Sequence, residues 1–237
     1  MIPFRYDPAI LSQFPRLAGG AMLGLHLKNG PSPESLKKLY LEEQRNVLEK
    51  IGRRPLSEIE TLAGWRAAFR QFGVDPTQYR SAAEALLRRL TKKGELPSIH
   101  ALVDLCNLVS IRYALPVAAF DLRAVQGSIT VQFASGKELF TTLGETGPEH
   151  PEPGEVIFMD EAGLVAARRW CWRQSELGSA QEDTQEALFT IEAQHAGGRG
   201  MVAQALGDLQ GLLEEYVGGN YDKNMEADRR GEHGLYS

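Results

Sequence analysis

The chain has 237 residues, 43% of them hydrophobic and 24% charged, with a formal net charge of −5. That length suits one domain, or one domain with a helical extension, and it carries enough apolar residues to bury a sizeable core. The acidic balance excludes a generic polyanion binder, so a nucleic-acid partner needs a local basic patch.

In chain order, Gly19–Leu27 (GGAMLGLHL) reads as a short buried strand. Ser32-Pro33 reads as an N-cap with proline at N1, opening a helix that Gly52 ends. Ser57-x-x-Glu60 reads as a capping box for a second helix closed by Gly73, and Asp75-Pro76 as the start of a third that Gly94 stops. The third helix carries Arg80, Arg88, Arg89, Lys92 and Lys93. These either complement the helix dipole at its C-terminus or meet phosphates.

Residues 98–114 read as an almost wholly apolar, buried helix. His100, Asp104 and Asn107 make one polar stripe on it, which either braces neighbouring backbone or faces a site. Strands follow at Val117–Asp121 and at Ile129, Val131 and Phe133. Ser135-Gly136 reads as a hairpin turn into Lys137–Leu143, and a Pro/Glu/Gly-rich loop spans Gly144–Gly154. Glu155–Met159 and Gly163–Trp172 pair around an acidic turn, and Ala187–His195 is the last strand. Gly197-Gly198 then introduces an amphipathic helix to about Val217, and the polar tail from Gly218 reads as loose. Strands flanked by helices at both ends indicate an α+β fold. The expected division is an N-terminal strand and helical extension at 1–96, a core at 97–217 and a tail at 218–237.

Leu102–Leu122, LVDLCNLVSIRYALPVAAFDL, is the most specific stretch. It resembles the B3/B4 editing module of the bacterial phenylalanyl-tRNA synthetase beta subunit, which reads roughly V-D-x-T-N-Y-V-x-x-x-x-G-Q-P-L-H-A-F-D-L. Val103, Asp104, Asn107, Val109, Pro116, Ala119, Phe120, Asp121 and Leu122 match without a gap. SITVQFASGKELFTTLGE, GEVIFMDEAGLVAARR and EDTQEALFTIEA continue the resemblance over roughly residues 97–195. The N-terminal helices are not part of that module and resemble its free-standing relatives. The resemblance implies a β-rich, sandwich-like core with packed helices. It also implies hydrolysis of the ester of a mischarged tRNA, with aminoacylated tRNA as partner.

The resemblance carries a set of site residues. The family's editing glutamate falls on Glu176, its preceding glycines on Gln174 and Ser175, its histidine on Ala118, and the threonine before Asn107 on Cys106. Such a site holds the amino acid, orients a water and stabilises an oxyanion. Glu176 and Asn107 are the expected catalytic pair: Glu176 for the α-ammonium or the water, Asn107 for the substrate carbonyl or ribose. Arg173 and Ser175 are expected at the terminal adenosine or its phosphate, and Trp172 stacked on a base. The changes at Cys106, Ala118, Gln174 and Ser175 imply a guest other than the family's. A non-catalytic tRNA- or amino-acid-binding module is the alternative.

No other chemistry has a pattern. The five histidines lack metal-ligand spacing, and neither a nucleophile elbow nor a phosphate loop is present, so no metal or cofactor is expected. A Cys171–His195 nucleophile pair is conceivable only if the fold joins them. Cys106 and Cys171 set no disulfide framework and read as buried, inert thiols. No apolar run reaches the ~18 residues of a membrane span. The opening MIPFRYDPAILSQFP lacks the pattern of a signal peptide, so the expected compartment is the cytoplasm, with neither DNA nor membrane as partner.

Overall fold

The computed structural model describes residues 4–142 and 147–224. The elements in order are β1 (Phe4–Tyr6), α1 (Pro8–Gln13), β2 (Ala18–Leu25), α2 (Glu34–Ile51), α3 (Glu60–Gln71), α4 (Ala82–Lys93), α5 (Ala101–Tyr113) and β3 (Val117–Asp121). They continue with β4 (Ile129–Phe133), β5 (Val156–Met159), β6 (Val165–Arg168), β7 (Arg173–Gln174), β8 (Ala187–Ala193), α6 (Gly198–Tyr216) and β9 (Asn220–Asn224). One sheet runs β1-β4-β5-β6-β7 and the other β3-β8-β2-β9. The α+β class is therefore what the sequence indicates.

The two sheets share one apolar layer, and the helices bury the outer face of the second sheet. Strand alternation sorts the side chains. Along β8, Leu188 joins Phe4, Phe120, Phe158 and Trp170 between the sheets. Its neighbours Ala187, Phe189 and Ile191 face the helices instead, packing with Leu102, Leu105, Leu206 and Leu209. Thr190 and Glu192, in step with Leu188, are thereby turned toward the first sheet. Of the α6 face expected from Val202, Leu206, Leu209, Leu213, Tyr216 and Val217, the first four are fully buried, Val217 is buried and Tyr216 is half-buried.

The N-terminal part is woven into the core. Strand β1 pairs in parallel with β4, and β2 lies between β8 and β9, pairing along Ala18–Leu25. Gly64 lets α3 cross close to the end of β8, because a Cβ there would stand 2.5 Å from the Gln194 carbonyl oxygen.

Several expected boundaries move, each for a local reason. Ser32 does not cap α2; its Oγ donates to Asp104 at 2.5 Å, and Pro33 is the cap without a side-chain bond. The Ser57–Glu60 box does not form, because Leu56–Glu58 is a separate 3-10 turn and Ile59 caps α3. Asp75 closes a turn on the Thr77 amide at 2.8 Å, so α4 begins only after Ser81, whose Oγ accepts from the Glu84 amide. Helix α5 starts at Ala101, because the Asp104 carboxylate turns back to the Ile99 amide (2.8 Å) and the Ser98 hydroxyl.

The turn at Ser135-Gly136 exists, with the Glu138 carboxylate accepting from both amides. The partner of β4 is β5, however, and the expected strand after the turn is only isolated bridges at Leu139 and Phe140. Leu143, and the first part of the expected loop Gly144–Gly154, lie outside the described residues. The expected strand Gly163–Trp172 stops at Arg168, where Arg169 and Trp170 take left-handed φ values of 45° and 59°. Asn220–Asn224, read as part of a loose tail, is an edge strand on β2; the rest of that tail lies outside the described residues.

Candidate functional site

Strand β3 separates two cavities. The larger, about 330 Å³, opens between the α5 N-terminus and the turn after β7, with Asn107, Cys106, His100 and Gln174 in its wall. The smaller, about 80 Å³, lies between the sheets, with Ala118, Thr190, Glu192, Trp172, Arg173 and Gln174 in its wall. Val117 and Gln174 belong to both. Gln174 is fixed by its Nε2 donating to the Ala119 carbonyl at 2.8 Å, which leaves its Oε1 free of hydrogen bonds.

Helix α5 presents the polar stripe, and two of its three members brace. Asp104, fully buried, accepts from Ser32, Ser98 and the Ile99 amide. His100 accepts from Asn29 Nδ2 at Nδ1 and donates from Nε2 to the Ala180 carbonyl, both at 3.1 Å, which docks the segment after β7 against α5. Asn107 is half-buried at the cavity wall. Burial pushes the Cys106 thiol up to about 12, so it is no thiolate nucleophile.

The mouth of the smaller cavity is aromatic and cationic. Trp172 meets Tyr79 edge to face at 5.0 Å. The guanidinium carbons of Arg169 and Arg173 lie 4.7 and 4.5 Å from its ring centre. Arg169 is tied to Glu155 at 3.4 Å. Arg173 is exposed and makes no ion pair among the described residues.

The other expected site residues disperse. Ser175 is fully buried and accepts from the Leu177 amide at 3.3 Å, which removes it from either cavity wall. Glu176 is exposed on the turn after β7, outside both cavities. Arg88, Arg89, Lys92 and Lys93 are exposed on α4. Ala82, at the start of α4, lines the smaller cavity, so Lys92 lies roughly 15 Å further along the axis at 1.5 Å per residue. Arg80 is half-buried, 3.9 Å from Glu84. Cys171 and His195 border different cavities and form no pair. Among the described residues no cluster of His, Cys, Asp and Glu could hold a metal ion, and no helix is long and apolar enough to cross a membrane.

Sequence reasoning missed Glu192. It is 2% exposed, and its Oε1 accepts from the Tyr6 hydroxyl at 2.7 Å and from Trp170 Nε1 at 3.0 Å. Among the described residues its Oε2 has no hydrogen-bond partner and no cation reaches it. Burial pushes this carboxyl up to about 7, against the two donors, which pull it down. Opposite it in the sheet is Gly19, where a Cβ would fall 2.0 Å from the Tyr6 hydroxyl oxygen. The available signal was an acidic residue at an inward position of the apolar run ALFTIEA.

A two-sheet α+β core with small cavities under a stacked aromatic-arginine mouth thus defines the class. Residues 64–197 match the B3/4 domain, more than half of the chain, and the chain belongs to that family. It is 35% identical over 82 residues to the phenylalanine–tRNA ligase beta subunit of Chromobacterium violaceum, covering 35% of this chain and 10% of that protein. It is 30% identical over 123 residues to the same subunit of Idiomarina loihiensis, covering 51% of this chain and 15% of that protein. The chain thus spans only about a tenth to a seventh of the curated relatives it matches. The crystal structure of an N-terminal fragment of the phenylalanyl-tRNA synthetase beta subunit from Pyrococcus horikoshii superposes with a TM-score of 0.48 at 13% identity. That superposition covers 93% of this chain and 50% of the other.

Proposed function

We propose that this protein acts on the aminoacylated end of tRNA in the cytoplasm, hydrolysing the ester of a mischarged amino acid. The observation that carries this is the pair of small cavities sharing Gln174, beneath the exposed Arg173 and its stacked partner Trp172. Family membership supports it through relatives named as beta subunits of a tRNA ligase. An aminoacyl ester needs a closed seat for the acyl group and an open, cationic, stacking surface for the terminal nucleotide, and these lie side by side here. A second sieve of this kind is useful because a pocket separates one methylene by only about 1–3 kcal/mol.

In this proposal Asn107 donates to the substrate carbonyl or ribose, with Cys106, Ala118 and Gln174 shaping the acyl seat. Arg173 and Trp172 meet the terminal phosphate and base. Glu176, exposed on the turn after β7, is assigned to the attacking water. The α4 cations contact the tRNA body away from the ester, and Ser175 supports the turn.

The test is a screen of the full chain against tRNAs carrying matched and mismatched amino acids, read as loss of the ester. Turnover of at least one mischarged species, abolished by Asn107→Ala, is expected; no turnover of any species overturns hydrolysis. The exposure of Glu176 outside both cavities favours one second reading, a binding module. Its mark is protection of the ester against spontaneous hydrolysis with no turnover.

A further inference from the structure

We propose that Glu192, with Thr190 and Gln174, forms a receptor for the primary ammonium group of the bound amino acid. This deepens the function proposed above and rests on it for the identity of the guest. Sequence alone gave Glu192 no role, and the family resemblance assigns none to this position.

Three residues that carry a further hydrogen-bond acceptor line the same 80 Å³ space: Glu192, Thr190 and Gln174, with Oε2, Oγ1 and Oε1 as those acceptors. Among the described residues none of the three oxygens has a hydrogen-bond partner. Thr190 and Glu192 are both 2% exposed, so these are inward groups and not surface ones. An ammonium carries three N–H donors and no acceptor, the complement of this set. A buried carboxyl with no cation beside it gains strongly from a charged donor, because the surroundings screen little.

The other side of Glu192 is held in place. Tyr6 and Trp170 both donate to Oε1, which leaves Oε2 as the free oxygen. Trp170 is placed by the left-handed pair Arg169–Trp170, and Tyr6 by the missing Cβ of Gly19. Strained backbone of this kind persists where the surroundings over-determine it. Arg173, the one cation in the wall, is exposed at the mouth and stacked on Trp172, where it suits the acyl carbonyl or a phosphate. The remaining wall is apolar (Ala118, Phe120, Phe158). The space itself is small, about 80 Å³. The expected guest is an ammonium beside a small side chain.

The probe is a stable adenosine whose 3′ position carries an amide-linked alanyl group. Its controls are the propionyl analogue, which lacks the amine, and the lactyl analogue, which replaces it by hydroxyl. Calorimetry on the full chain is expected to show the alanyl compound binding at least tenfold tighter than both controls. This wild-type comparison needs no variant. Glu192→Gln keeps an acceptor for Tyr6 and Trp170 and is expected to erase the preference while still binding the propionyl compound. Equal affinity for the three compounds in the wild type, or no binding of any, overturns the receptor, as does a preference that survives in E192Q. Ester turnover is read separately: an amine preference without turnover retains the receptor and removes hydrolysis, and turnover without an amine preference does the reverse.

Discussion

Gly19→Ala is the sharpest test of how the sheets are joined. The new Cβ would stand 2.0 Å from the Tyr6 hydroxyl oxygen, 2.9 Å from Cζ and 3.0 Å from Cε2. Tyr6 is 6% exposed and cannot swing into solvent without leaving the core. Its displacement forfeits the 2.7 Å bond to Glu192, a bond to a buried acidic group worth about 1.5–3 kcal/mol, and overpacking adds about 1–3 kcal/mol. Alanine returns about 0.4–1 kcal/mol by stiffening the unfolded chain, since Gly19 has no positive φ. The net loss is about 1.5–5.5 kcal/mol, a fall of about 0.5–2 M in the urea midpoint at a slope of about 3 kcal/mol/M. Repeating the substitution in a Tyr6→Phe background removes the 2.0 Å contact and is expected to shrink the loss by at least about 1 kcal/mol. A loss below about 0.5 kcal/mol, or the same loss in both backgrounds, would refute the idea that Gly19 exists to admit the Tyr6 hydroxyl.

Glu192 makes stability depend on pH. Its carboxyl sits at about 7 when folded against a reference of 4.5, so the folded protein keeps a proton that the unfolded chain has lost. That contribution is complete below about pH 4.5 and is lost as the pH rises through about 7. The stability of the wild type relative to E192Q therefore falls by about 3 kcal/mol between those limits, measured by urea unfolding; a flat difference rejects the assignment. Asp104→Ala strips three hydrogen bonds from a fully buried brace. It is expected to cost about 2–4 kcal/mol and to lower Tm, and a loss under about 1 kcal/mol would show that the brace is redundant. Replacing Arg88, Arg89, Lys92 and Lys93 by Gln is expected to leave Tm nearly unchanged while flattening the salt dependence of tRNA binding. A salt slope identical to that of the wild type removes these cations from the interface.

The elements most legible in the sequence were those fixed by local periodicity. The α6 stripe, the β4 alternation and the buried α5 all read directly, because helix and strand burial repeat at fixed spacing. Cap residues misled where a distant partner outbid the local one. Ser32 looked like an N-cap, yet Asp104, 72 positions away, takes its hydroxyl. Asp75 spends its carboxylate on its own turn. Strand partners were invisible for the same reason: β1, three residues long, is defined only by β4, and β9 only by β2. On the site, Asn107, Cys106, Ala118 and Gln174 were found through the resemblance and do border cavities. Glu192 was not, because an acidic residue inside an apolar strand has meaning only once its donors are known.

Those donors also bear on what the family-matched core can do by itself. The family match begins at residue 64, whereas Tyr6 and Gly19 precede it. Without β2, strand β8 keeps only β3 of its two partners and becomes an edge strand. Without Tyr6, Glu192 keeps only Trp170 as a donor. A buried carboxyl with fewer donors is held less firmly and costs more to ionise. An apolar residue at 192 would avoid that cost and still fill the space. The N-terminal segment therefore does more than cover the core. It supplies the central strand of the second sheet and half of the grip on the one buried carboxyl in the cavity wall. In the receptor proposed above, the second oxygen of that carboxyl is the one that would receive the ammonium.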